Sequence, residues 1–134
     1  MKYENVKKWI IKAENDLKAA QHELSFPPDE MVTESICFHS QQAVEKFFKA
    51  YLIYKNHEFG NTHNLEYLQQ LCGRYDKTIL KYELGNLTDY AVNIRYPDDF
   101  YVPDYDESKK AYNLAKAVKE NILIKIGRKN VKEL

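Results

Sequence analysis

Three polar side chains that suit a phosphate-containing ligand lie close together in the segment CFHSQQAVEKFFKA, from Cys37 to Ala50. With about 100° of rotation per helical residue, His39, Gln42 and Lys46 share one narrow arc of a predicted helix. An ammonium group pairs with phosphate, whereas an amide or imidazole hydrogen-bonds a base or a ribose. The line is therefore a candidate ligand contact. The structural alternative is a satisfied network between helices, with Lys46 reaching solvent along its aliphatic stem.

Arg95 is a further candidate, outside this line. Arg95 stands where a predicted helix meets a loop stiffened by proline, a position from which a guanidinium can hold phosphate through two hydrogen bonds. Its alternative role is an ion pair with Asp98, Asp99 or Asp16, which closes the loop onto the bundle. Asp16, apart from any resemblance, is most simply a solvated or capping carboxylate. Lys49 is expected to be solvated, and His63 most simply belongs to the start of a helix.

These residues must be positioned by helices. Apolar residues at three- and four-residue steps predict five helices. They run from about Tyr3 to Leu24, from Glu30 to Lys55, from a cap at Thr62 or Asn64 to about Gly73, from Lys81 to Ile94, and from Asp106 to Ile126. Asp29 is the predicted cap of the second helix. No alternation with a period of two is long enough for a strand. We therefore expect an all-α, up-and-down helical bundle of four to five helices. Phe38, Leu52 and Ile53 interrupt the solvent side of the second helix, which predicts that it contacts protein on more than one side.

Length and composition limit the function classes. The 134 residues predict one domain over 1–127, followed by a polar tail over 128–134. The 20 basic and 20 acidic residues cancel, so no global field favours nucleic acid or a membrane. The amino terminus lacks an apolar signal core and no segment is apolar enough to span a bilayer, so we expect a cytoplasmic protein without membrane contact.

Several kinds of chemistry have no signature in the chain. No histidine has Glu three places before it, as helical di-iron sites require. There is no phosphate-binding glycine loop, HExxH helix, paired CxxC or nucleophile elbow. Cys37 and Cys72 lack metal-type spacing and are expected to be reduced, buried thiols. No metal and no cofactor is therefore expected.

Four segments give the chain a resemblance to a known family. They are AENDLKAA, CFHSQQAVEKFFKAYL, THNLEYLQQL and IRYPDDFYVPDYDESKKAYNLA. With them the chain resembles the HEPN domain family of small prokaryotic helical proteins, and the second-helix motif and the Arg-Tyr-Pro-Asp turn are the specific parts. The resemblance implies a bundle that forms a homodimer, often beside a minimal nucleotidyltransferase with which it makes a toxin and antitoxin pair. It implies a nucleotide- or RNA-binding accessory protein, with ligand contacts at Asp16, His39, Gln42, Lys46 and Arg95.

Other family members are metal-independent ribonucleases, which need an Arg followed by His after four to six residues. Arg95 matches the Arg, but the window after it holds Phe100, Tyr101 and Val102. Cleavage through the RNA 2′-hydroxyl needs a group that exchanges protons near neutral pH, and a phenol, with a pKa of about 10, does so poorly. The lack of a histidine in this window favours a binding role over catalysis. An endoribonuclease toxin that uses Arg95 and Tyr101 is the first alternative, and a non-catalytic dimerisation module is the second.

Overall fold

The fold is known from a computed structural model that describes residues 2–85, 87–90 and 101–127. These residues form four α-helices, numbered here α1 to α4, at Lys2–Leu24, Thr33–Tyr54, Leu65–Gly73 and Tyr105–Ile126. They also form two short 3₁₀ helices, Lys77–Lys81 and Leu87–Asp89, and contain no strand. The prediction of an all-α helical bundle is confirmed.

Helix α2 is the centre of the bundle and packs against α1, α3 and α4. Phe47 and Phe48 point about 100° apart on a helix, yet both are fully buried. Each buried phenylalanine contributes about 1.5–3 kcal/mol through the hydrophobic effect. α1 packs along α2 through an apolar stripe at the spacing the sequence predicts: Val6, Ile10, Ala13, Leu17 and Ala20. A helix enclosed on three sides must bury some of its polar residues as well.

Two of the helices have a side-chain cap at their N-terminus. The Asn64 side chain accepts a hydrogen bond from the Tyr67 backbone N–H at 3.0 Å, which confirms one of the two predicted caps of α3. Asp104 caps α4 in the same way. The predicted Asp29 cap of α2 is wrong, because residues 27–30 form a turn in which the Glu30 N–H donates to Pro27 O. α2 begins only at Thr33, after Val32, which has no side-chain cap.

The predicted helix from Lys81 to Ile94 is also wrong over its first turn. The residues from Tyr82 to Leu84 are not helical, and Gly85 has a positive φ of 55°. The buried amide of Gln69 donates to the backbone oxygens of Ile79 and Tyr82, at 3.0 and 2.8 Å, and holds this backbone to α3. Tyr82 then donates to Ala117 O of α4. Tertiary hydrogen bonds thus override the local helical pattern, while residues 91–94 lie outside the described part.

The carboxyl end of the bundle is α4, which ends at Ile126 before Gly127 with a φ of 91°. The predicted polar tail, 128–134, lies outside the described residues. Within the described ranges, none of the helices combines the length and the apolar character needed to cross a membrane.

Candidate functional site

Asp16 joins two of the predicted site residues. Its Oδ1 lies 2.8 Å from Nδ1 of His39, and its Oδ2 accepts a hydrogen bond from Nζ of Lys46 at 2.5 Å. Asp16 lies at the edge of the apolar stripe of α1, and from this edge its side chain reaches α2. The side chain of Asp16 is 13% exposed and that of Lys46 is 20% exposed. Asp16 is therefore a largely buried, doubly bonded carboxylate rather than a solvated one.

Lys46 and Gln42 also line a cavity of about 430 Å³ between α1, α2 and the segment before α3. We call it the lysine cavity, because four lysines line it: Lys8, Lys12, Lys46 and Lys49. The first two come from α1 and the last two from α2. Trp9, Glu45 and His63 complete the part of the wall discussed below. A concave site of this size with convergent polar groups is typical of small-ligand pockets.

Glu45 supplies the one carboxylate among the described residues that line this cavity, and it is only 3% exposed. Its Oε2 accepts a hydrogen bond from Nζ of Lys49 at 3.1 Å, and Nδ1 of His63 lies 3.2 Å from each carboxylate oxygen. The amide of Gln41 donates to Oε1 from 3.4 Å. A buried carboxylate is costly unless it is paired, so Glu45 depends on these donors.

Lys49 is buried, with 4% of its surface exposed, and the expectation that it is solvated is wrong. Its ammonium lies 5.3 Å from the ring centroid of Trp9 and 5.5 Å from that of Phe59. Such contacts with ring faces partly replace hydration. The segment from Lys55 to Asn64 folds back over α2 and brings Phe59 and His63 onto it. Nothing local to α2 in the sequence indicates this cover.

Tyr101 lies in a different cluster. Its hydroxyl and that of Tyr90 both donate to the carboxylate of Glu107 on α4. Tyr90 is also a neighbour of Cys37, which lies on the side of α2 opposite His39. Within the described chain, Asp16, His39 and Lys46 come together with Gln42 beside them, and Tyr101 does not join them.

The environment of Tyr101 bears on its candidate role in catalysis. The hydrogen bond to Glu107 raises the pKa of Tyr101 to about 12. A phenol of that pKa stays protonated at neutral pH and is a poor general base. Burial raises the pKa of the neighbouring Tyr90 as well. Arg95, the other residue of the ribonuclease alternative, lies outside the described residues.

Sequence reasoning missed the contribution of α1 to the site. Lys8 and Lys12 are four residues apart, and Trp9 and Lys12 are three apart, so Lys12 is a neighbour of both on the surface of α1. This spacing is visible in the sequence. That their face meets Lys46 and Lys49 depends on the packing of α1 against α2. No three His, Cys, Asp or Glu side chains of the described residues are grouped so that they could hold a metal ion.

Comparison with known proteins agrees with this fold. The family model described as HEPN domain matches residues 6–125, which is most of the chain. No curated protein and no solved structure matches the chain.

Proposed function

The chain belongs to the HEPN domain family, and we propose that it binds the phosphate of a nucleotide or of RNA in the lysine cavity. The observation that carries this proposal is the convergence of four lysines on a cavity of about 430 Å³. Ammonium groups gathered in one place repel each other, and an anion among them relieves this repulsion. The volume lies within the range of about 300–1,000 Å³ typical of small-ligand pockets.

Asp16 and Gln42 have separate roles in this proposal. Asp16 fixes the orientation of Lys46 through the bond of 2.5 Å, so that the ammonium does not have to be ordered when the ligand binds. Gln42 donates to Oε1 of Gln41 at 2.6 Å, and its own carbonyl oxygen accepts no hydrogen bond from the described residues. That oxygen is suited to accept from a base or a ribose. His39 bonds to Asp16 and is the second positioning group.

The biological role we infer is that of a non-catalytic accessory protein of the cytoplasm. It would act as a homodimer and with a nucleotidyltransferase partner, in an arrangement of the toxin and antitoxin type. Family membership supports this part of the proposal. The two alternatives from the sequence are an endoribonuclease toxin and a dimerisation module without a ligand, and they predict different results in the experiments below.

Isothermal titration calorimetry tests the binding proposal directly. AMP, ATP and a short single-stranded RNA are titrated into the full chain, into Lys46→Ala and into Lys18→Ala. Lys18 is the matched control, because it is an exposed lysine of α1 that does not line the cavity. We expect at least one ligand to bind, with an affinity about tenfold weaker in Lys46→Ala and unchanged in Lys18→Ala. An absence of heat with all three ligands would reject the proposal.

Two further measurements separate the alternatives. Incubation of total RNA with the wild type and with Arg95→Ala tests the ribonuclease alternative, which requires cleavage that the variant lacks. Light scattering at micromolar concentration tests the homodimer. A stable dimer that binds none of the ligands and cleaves no RNA would leave the dimerisation module as the function.

A further inference from the structure

Of the four lysines that line the cavity, two are paired with carboxylates and, within the described chain, two are not. Lys46 pairs with Asp16 and Lys49 pairs with Glu45. Neither Lys8 nor Lys12 pairs with a carboxylate of the described residues. Both are exposed, and both line the cavity. Two of the four positive charges therefore remain for a ligand.

The depth of the cavity also constrains what enters it. Glu45 and Lys49 line it although they are only 3% and 4% exposed, so they form its inner end. Lys8 and Lys12 form the exposed part of the wall. An RNA backbone that continues on both sides of the bound phosphate needs a groove that is open at both ends. A cavity with a buried inner end is suited to a terminal group.

We propose, on the basis of the function proposed above, that the lysine cavity binds a terminal phosphate monoester rather than the diester backbone of RNA. A monoester carries a charge of about −1.5 to −2 at neutral pH, because its second pKa is about 6. A backbone diester carries one charge. Lys8 and Lys12 match the monoester, while Lys49 shields the phosphate from the carboxylate of Glu45. The phosphate comes either from a mononucleotide or from the end of an RNA chain.

Calorimetry on the full chain with matched probes tests this inference. AMP is compared with adenosine, and one short RNA is compared in forms with a 5′-phosphate, a 3′-phosphate and only hydroxyl ends. We expect AMP, or one of the phosphorylated RNAs, to bind about tenfold or more tightly than its counterpart without the terminal phosphate. Binding of AMP alone identifies a mononucleotide as the source, and binding of a phosphorylated RNA alone identifies the RNA end.

The variants link the preference to the cavity. In the double variant Lys8→Ala and Lys12→Ala, we expect the advantage of the terminal phosphate to disappear, whereas Lys18→Ala retains it. The replaced lysines are exposed, and thermal melting checks that each variant folds. Equal binding of AMP and adenosine, together with equal binding of hydroxyl-ended and phosphorylated RNA to the wild type, would overturn the inference but leave the proposed function intact. An equal loss in Lys18→Ala would also overturn it, and no binding of any probe would reject both.

Discussion

Oδ2 of Asp16 accepts a hydrogen bond from Nζ of Lys46 at 2.5 Å, and this bond joins the middle of α1 to the middle of α2. Oδ1 of the same carboxylate lies 2.8 Å from the ring of His39. One aspartate therefore fixes two residues of the predicted polar line. The contact contributes to the packing of the bundle as well as to the shape of the site, so stability measurements can detect it without a ligand.

A double-mutant cycle on Asp16→Ala and Lys46→Ala measures this contact. We expect a coupling energy of about 1–3 kcal/mol in urea unfolding, because the pair is charged and largely buried. The matched control is Glu14 with Lys119, an ion pair that joins α1 to a different helix, α4, at 3.6 Å and with side chains 30% and 28% exposed. That pair should show at most about 0.5 kcal/mol. Equal coupling in the two pairs would contradict a special role for Asp16.

Glu45→Gln should destabilise the protein strongly. The substitution removes the charge that pairs with Lys49 and leaves a buried ammonium uncompensated, at a cost of about 3–5 kcal/mol. The double variant Glu45→Gln and Lys49→Met should recover much of this loss, because the unpaired charge is removed as well. Urea unfolding of the wild type, Glu45→Gln, Lys49→Met and the double variant checks this. A double variant as unstable as the sum of the single variants would show that the two residues do not act as a pair.

The two thiols should be unreactive in the native protein. Burial raises the pKa of Cys37 to about 12 and raises that of Cys72 as well, so neither is a thiolate at neutral pH. Iodoacetamide labelling followed by mass spectrometry should find both unmodified until urea unfolds the chain. Ser25→Cys, at an exposed position, is the positive control and should react rapidly. Rapid labelling of Cys37 or Cys72 in the folded protein would argue against the packing described here.

The stability that Asp76 contributes should disappear in acid. Hydrogen bonds from Lys125 and Thr78 lower the pKa of Asp76 from 3.8 to about 2. A lowered carboxyl pKa stabilises the native state above pH 3.8, and this contribution is lost as the pH falls toward 2. The difference in unfolding free energy between the wild type and Asp76→Asn should therefore be constant above about pH 5 and should shrink below about pH 4. A difference that stays constant throughout would mean that Asp76 has no charge-dependent role.

The sequence predicts the helices most reliably where a repeated apolar pattern is long. The helix predicted from Tyr3 to Leu24 is observed as α1 at Lys2–Leu24. The helix predicted from Asp106 to Ile126 is observed as α4 at Tyr105–Ile126. The prediction of a helix from Lys81 is wrong over its first turn, because the side-chain amide of Gln69 on α3 donates a hydrogen bond to the backbone oxygen of Tyr82. Such a contact between distant residues leaves no trace in the local pattern.

The candidate site was predictable only in part. The arc of His39, Gln42 and Lys46 follows from helical spacing, and the resemblance to the family added Asp16 to it. The burial of Lys49 was not predictable, because its position on α2 is a solvent-facing one until Trp9 of α1 and Phe59 cover it. Spacing gives the direction of a side chain on its own helix. It does not show which residues of a later segment pack against that side chain.

The segment from Lys55 to Asn64 has a consequence for how firmly water is excluded from the inner end of the cavity. The residues from His57 to Asn64 belong to no helix, whereas the inner end of the cavity belongs to the central helix of the bundle. Segments of this kind open locally at a much smaller free-energy cost than the unfolding of packed helices. Such an opening would take Phe59 away from the ammonium of Lys49 and His63 away from the carboxylate of Glu45, so the inner end of the cavity can become hydrated while the helices around it stay packed.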